Sequence, residues 1–118
     1  MHIILDNGHG IDTGGKCSPD RRLLEYKYAR EITARLEIEL KKLGIPCTRI
    51  VTEENDILIP KRCSRANKIY RENGKKDTIL ISVHVDGLGK GEKWVDRASG
   101  WSARVSLKIG RASCRERV

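Results

Sequence analysis

Apolar runs that end in polar, glycine-containing turns set the framework of the chain. Residues 3–5 form a short apolar run that leads into Asn7-Gly8-His9-Gly10. Residues 79–83 form a second run, which ends at His84 before a glycine-rich stretch. Apolar runs bounded by turn signals are typical of buried strands. A shorter alternating segment at 47–51 predicts one more strand between them.

Two amphipathic segments separate these strands. In the first segment, large apolar residues recur at spacings of four and three, which predicts a helix that packs one face on a sheet. These residues are Leu24, Tyr28, Ile32, Leu36, Leu40 and Leu43. Gly44 and Pro46 end this helix. Pro60 suits the first turn of a second helix, with apolar residues at Cys63, Ala66, Ile69 and Tyr70. The order strand, helix, strand, helix, strand predicts an α/β fold with a mainly parallel sheet and helices on its faces.

The composition fits one small domain. The chain has 118 residues, 34% of them charged, and no Phe, so Ile, Leu and Val must build the core. Its four cysteines are widely spaced and form no Cys-x-x-Cys, which argues against a structural zinc site or a redox pair. We expect reduced thiols.

A net charge of +8 raises the question of an anionic partner. The basic residues are scattered along the helices and lack interleaved aromatics, so we expect a solvated surface or attraction to an anionic polymer rather than nucleic-acid binding. The first residues enter a strand directly, and no apolar run reaches membrane length. We therefore expect synthesis in the cytoplasm, without a signal peptide or a membrane segment.

Two histidines, His9 and His84, follow the ends of the first and last predicted strands. Parallel strands place their carboxyl ends at one edge of the sheet, so these residues should meet there. Two imidazoles at an open edge suggest a metal, and zinc commonly takes a carboxylate as its third ligand. The candidates are Asp6, Glu25 and Asp86. Glu25 begins the first helix, where it can face the histidines or simply stabilise the helix dipole, and the residues alone leave both open.

Three segments occur in an order and spacing that match a known family. They are Ile-Leu-Asp-Asn-Gly-His-Gly at 4–10, Leu-Leu-Glu-Tyr-Lys-Tyr-Ala at 23–29 and Ile-Ser-Val-His-Val-Asp-Gly at 81–87. Over about residues 2–107 the chain resembles the zinc-dependent N-acetylmuramoyl-L-alanine amidases. Three further residues fall where that family has an acidic residue, a helix arginine and an asparagine: Asp56, Arg62 and Asn67.

The resemblance implies one Zn²⁺ ion held by His9, Glu25 and His84. It also implies that Asp6 and Asp86 orient the histidines. The implied reaction is hydrolysis of the amide between N-acetylmuramic acid and L-alanine in peptidoglycan, in cell-wall lysis or remodelling of the kind that endolysins perform.

The family's general base is a glutamate farther downstream, and the chain has no matching segment. We therefore expect residues 1–108 to be the amino-terminal part of an amidase catalytic domain, truncated before the end of the domain. Such a chain should bind zinc and hydrolyse its substrate poorly or not at all. Residues 109–118 match nothing in the family and resemble a translated sequencing adapter, which predicts a non-native read-through tail.

Two alternatives remain at this stage. One is another zinc amidohydrolase or deacetylase with the same three ligands. The other is a non-catalytic module that binds cell wall or nucleic acid and does not need zinc. Between the last strand and the tail, Gly100–Leu107 suggests one more strand. We expect Trp94 and Trp101 to cap the core, with stacking on a substrate as the alternative.

Overall fold

The fold is an α/β arrangement with the predicted βαβαβ order. A computed structural model describes residues 1–85, 93–94 and 102–103. Three parallel strands form the sheet in the order β2-β1-β3. The strands are β1 (His2–Asn7), β2 (Cys47–Arg49) and β3 (Thr78–Val83), and the helices are α1 (Glu25–Lys42) and α2 (Ile59–Glu72). The predicted parallel sheet is confirmed.

The central strand β1 is buried on both faces. Asn7 contacts Thr33 of α1, whereas the preceding residue, Asp6, contacts Arg62 of α2. Because successive side chains of a strand point to opposite faces, the two helices cover opposite faces of the sheet. The end of β1 therefore lies between two helices that can both contribute side chains to it.

Helix α1 is rotated relative to the predicted apolar stripe. Its buried residues are Glu25, Ala29 and Thr33, whereas Tyr28 is 43% exposed and Leu43 is 73% exposed. The buried contact is thus made by small or polar side chains, and the large apolar residues of the stripe lie beside it, only partly buried or exposed. This rotation turns Glu25 toward the edge of the sheet.

Helix α2 packs on the other face. Pro60 lies in its first turn, and Asn73 follows its last residue, as predicted. Ala66 belongs to a core cluster with Ile4, Ile50, Val51 and Ile57, and Ile69 packs against that cluster. This core fixes the position of α2 against β1.

Strand β3 is less buried than the sequence predicts. Ile79 is 45% exposed and Leu80 is 43% exposed, and β3 is an edge strand of the sheet in the described part of the chain. Trp94 is 68% exposed, which contradicts a core-capping role. Several predictions fall outside the described residues: Asp86, the strand at Gly100–Leu107, Trp101, Cys114 and the tail at 109–118.

Within residues 1–85, Cys17, Cys47 and Cys63 are reduced cysteines that form no disulfide bond. No helix among the described residues has the length and apolar character needed to cross a membrane.

Candidate metal centre

The register between β1 and β3 brings the two histidines together. Asn7 pairs with Val83, and the Gly8 N–H donates to the Val83 carbonyl over 3.1 Å. The chain then turns at each strand end, so that His9 and His84 lie side by side. Their ring centroids are 5.2 Å apart and the ring planes meet at 82°. The predicted meeting of these histidines at one sheet edge is confirmed.

Gly8 makes this approach possible. A Cβ atom on Gly8 would lie 2.4 Å from Cε1 and 2.5 Å from Nδ1 of His84, closer than side-chain atoms tolerate. Position 8 must therefore be glycine for the His84 imidazole to occupy this position.

Glu25 reaches the histidines because the loop before α1 folds back on itself. Cys17 and Leu24 form an antiparallel bridge, and the Glu25 N–H donates to the Lys16 carbonyl over 3.0 Å. Helix α1 begins at this point, with the Glu25 side chain buried. The loop thus fixes the first residue of the helix and, with it, the carboxylate.

One carboxylate oxygen of Glu25 faces both imidazoles. Oε1 is 3.3 Å from Nε2 of His9 and 3.2 Å from Nδ1 of His84. It also accepts a hydrogen bond from the Val85 N–H over 3.0 Å. The structure therefore brings together all three residues that the family resemblance implied as metal ligands.

The donor set suits zinc. One ligand atom from each of the three residues lies within 4.8 Å of the others. Two nitrogens and one carboxylate oxygen are a common catalytic zinc set, and bonds of about 2.0–2.1 Å in a tetrahedron separate ligand atoms by roughly 3.3 Å. The Glu25–histidine separations are close to this value.

The electrostatics of His9 also favour metal binding. Burial lowers the pKa of His9, and this effect outweighs the neighbouring Glu25 carboxylate, which acts to raise it. A lower pKa favours the neutral imidazole, which is the form that binds a metal.

Asp6 lies close to the site. Among the described residues, it forms no hydrogen bond with either imidazole. Its Oδ1 accepts a hydrogen bond from Arg62 Nη1 over 2.6 Å, and its Oδ2 accepts one from Ser82 Oγ over 2.7 Å. Asp6 thus links β1 to α2 and β3. His2, at the opposite end of β1, lies within hydrogen-bond distance of Thr48 Oγ1, at 2.9 Å.

Arg62 is a buried cation that joins several parts of the site. Its guanidinium donates to the Ile57 carbonyl over 2.5 Å, to the Asn7 carbonyl over 2.6 Å and to Asp56 Oδ1 over 3.0 Å. Burial acts to raise the pKa of Asp56, but hydrogen bonds from Thr13 and Arg62 outweigh it and leave that pKa below its ordinary value. Asp56 is therefore held as a carboxylate.

Arg30 contributes to the site although no pattern in the sequence marks it. It donates to the His9 carbonyl over 3.1 Å and to the Glu53 carbonyl over 2.9 Å, and it lies 5.4 Å from the Tyr26 ring centre. In the sequence Arg30 resembles any solvated arginine of an amphipathic helix. Only the fold brings it to the histidine turn.

A pocket of about 650 Å³ opens beside the two histidines. Such a volume lies within the usual range for ligand pockets. Its lining combines apolar residues from the start of α2 and from β3 with polar side chains. The apolar residues include Ile57, Leu58, Pro60 and Leu80, and the polar ones include Asp6, Asp56 and Arg62.

The family follows from a comparison across most of the chain. A model of the N-acetylmuramoyl-L-alanine amidase family matches residues 3–107. The chain belongs to this amidase family. Membership of this family supports a hydrolase of the amidase kind. Comparison with curated proteins and with solved structures gave no match for this amidase.

Proposed function

We propose that this amidase is zinc-dependent and cleaves the amide between N-acetylmuramic acid and L-alanine in peptidoglycan. In this proposal His9, Glu25 and His84 hold the metal. The single observation that carries it is the convergence of two imidazoles and one buried carboxylate at the carboxyl edge of a parallel sheet.

The three ligands have different surroundings. Glu25 is buried, and its Oε1 also accepts the Val85 main-chain N–H, which holds the oxygen between the histidines. The His84 side chain is 45% exposed, compared with 21% for His9. His84 thus lies on the solvent side of the site, where a substrate amide would approach. Zinc in such a site supplies a Lewis acid for a carbonyl and lowers the pKa of bound water to about 7.

A general base must accept the proton of the attacking water. The two carboxylates that line the pocket are already engaged, Asp6 by Arg62 and Ser82, and Asp56 by Arg62 and Thr13. We infer that His9, Glu25 and His84 form the metal-binding part of the site and that neither of these two carboxylates is the base. On this basis we expect the 118-residue chain to bind zinc and to hydrolyse peptidoglycan weakly or not at all.

The basic surface suits the proposed substrate. Peptidoglycan lies in an anionic cell wall, and a net charge of +8 favours association with an anionic polymer at low ionic strength.

Zinc stoichiometry of the purified chain tests the proposal. We expect one zinc per chain, and loss of that zinc in His9→Ala, Glu25→Gln and His84→Ala. His2→Ala is the matched control, because His2 is on the same strand as the first turn but at its far end, bonded to Thr48. Circular dichroism on each metal-free variant checks that the fold is retained.

A folded wild-type chain without zinc would refute the three-ligand assignment. Zinc-independent binding to purified peptidoglycan would then favour a non-catalytic binding module. Hydrolysis of other amides but not of peptidoglycan, in a zinc-loaded protein, would favour another zinc amidohydrolase or deacetylase.

A further inference from the structure

Two arginines from opposite sides of the sheet converge on one main-chain oxygen. Arg30 of α1 donates from Nη1 to the His9 carbonyl over 3.1 Å. Arg62 of α2 donates from Nη2 to the same carbonyl over 3.3 Å. The carbonyl of a proposed zinc ligand is therefore held between two helices that cover opposite faces of the sheet.

The conformation of His9 needs such support. Its φ angle is +61°, in the left-handed region that residues with a Cβ atom rarely occupy. This region costs roughly 1–3 kcal/mol for a residue other than glycine and persists only where the surroundings enforce it. Rotation about this angle moves the His9 carbonyl carbon and the His9 Cβ together, relative to the preceding residue. Restraining the carbonyl therefore also restrains the imidazole.

Each arginine connects this carbonyl to a different part of the site. Arg62 also donates to Asp6 Oδ1 and to the Asn7 carbonyl, so it connects His9 to the end of β1. Arg30 lies on α1, five residues after Glu25, so it relates His9 to the helix that carries the carboxylate ligand.

The arrangement also has an electrostatic cost. The Arg62 side chain is only 8% exposed, and burial, together with the nearby charge of Arg62, lowers the pKa of Arg30. Arg62 is neutralised by Asp6 and Asp56, whereas the hydrogen bonds of Arg30 go to main-chain carbonyls of His9, Tyr26 and Glu53. One hydrogen bond would be enough to satisfy the His9 carbonyl oxygen. The second arginine at this oxygen therefore needs another explanation.

We propose that Arg30 and Arg62 are positioning residues, which hold the His9 main chain so that its imidazole faces Glu25 and His84. This inference rests on the proposed zinc function for its purpose, but the restraint itself is a property of the metal-free chain.

The test compares Arg30→Gln with Arg35→Gln. Arg35 lies on the same helix, but its side chain is 71% exposed and pairs with Glu31, so its loss should not affect the site. We expect Arg30→Gln to raise the zinc dissociation constant at least tenfold in a chelator competition and to change the visible spectrum of bound Co²⁺. The melting temperature of the metal-free protein should match that of Arg35→Gln within a few degrees.

The conservative variant Arg30→Lys should recover only part of the affinity. A single ammonium keeps the charge but cannot reproduce the fork that reaches the His9 and Glu53 carbonyls together. Arg62→Lys is informative if it folds, but Arg62 is buried, so Arg30→Gln decides the question.

Side-chain NMR of the two histidines separates this proposal from the zinc assignment. In the metal-free wild type we expect ring-to-ring contacts between His9 and His84, and their loss in Arg30→Gln but not in Arg35→Gln. Wild-type zinc affinity and unchanged ring contacts in Arg30→Gln would overturn the positioning role. If the wild type binds no zinc, the proposed function fails, and the NMR comparison alone supports or overturns the positioning role.

Discussion

Gly8→Ala should separate metal binding from folding. The added Cβ would lie 2.4 Å from Cε1 and 2.5 Å from Nδ1 of His84. Carbon atoms in contact lie about 3.5 Å apart, so the imidazole must move by roughly 1 Å. The ring can make this movement because His84 is partly exposed, with 45% of its side-chain surface accessible. The backbone and the core then stay as they are.

A displacement of 1 Å is large for a metal ligand. Zinc–ligand distances vary by only about 0.2 Å in well-formed sites, so Nδ1 of His84 would no longer lie beside Glu25 at a bonding position. We expect the zinc dissociation constant to rise at least tenfold, which corresponds to about 1.4 kcal/mol. The stability of the metal-free protein should change by about 1 kcal/mol or less, because the displaced ring moves into solvent.

Chelator competition gives the affinity, and urea unfolding of the metal-free protein gives the stability. Gly14→Ala is the control, since a Cβ at Gly14 meets no atom within 4 Å. Wild-type zinc affinity in Gly8→Ala would show that His84 is not held against Gly8 when the metal is bound, and the geometric reasoning would fail.

Three further changes test the fold around the site. Gly10→Ala should unfold the chain or displace the loop that contains Asp56, because the new Cβ would lie 2.0 Å from the Asp56 main-chain nitrogen. Thermal unfolding monitored by circular dichroism measures the resulting loss of stability. Leu5→Ala should cost about 2–5 kcal/mol in urea unfolding, because Leu5 is fully buried in the central strand; a cost below 1 kcal/mol would contradict that packing. Glu53→Gln should cost about 1 kcal/mol or less at pH 7, since the Glu53–Arg65 pair is partly exposed and screened by solvent. The hydrogen bond from Arg65 lowers the pKa of Glu53 to about 2, so this contribution is present above the ordinary value of 4.5 and disappears as the pH falls from about 4.5 to about 2. A difference between wild type and Glu53→Gln that is independent of pH would contradict this pairing.

The strands, the helices and the two histidines could be predicted because their signals are local. Strands β1 and β3 are apolar runs that stop at turns, and β2 is a short alternating segment. Pro60 and Gly44 mark helix boundaries that the structure reproduces within one or two residues. The parallel order then implies that His9 and His84 share an edge. Glu25 was ambiguous in the residue pattern, because a glutamate at a helix start has an ordinary structural explanation.

Other features depend on distances that the sequence does not contain. The apolar stripe of α1 placed Tyr28 against the sheet, but the helix is rotated so that Ala29 and Thr33 are buried instead. Arg30 meets the His9 carbonyl only because the loop before α1 sets the position of that helix. No periodicity distinguishes such an arginine from a solvated one.

The pairing of β1 with β3 has a consequence for the growing chain. His9 and His84 are 75 residues apart, and they meet only when the last strand adds to the first. At roughly 5–20 residues per second, a ribosome needs about 4–15 s to synthesise the interval between them. During that time His9 and Glu25 are available without their partner, and two ligands bind zinc far more weakly than three. If the proposed zinc site is correct, metal uptake must therefore wait until the sheet has its third strand.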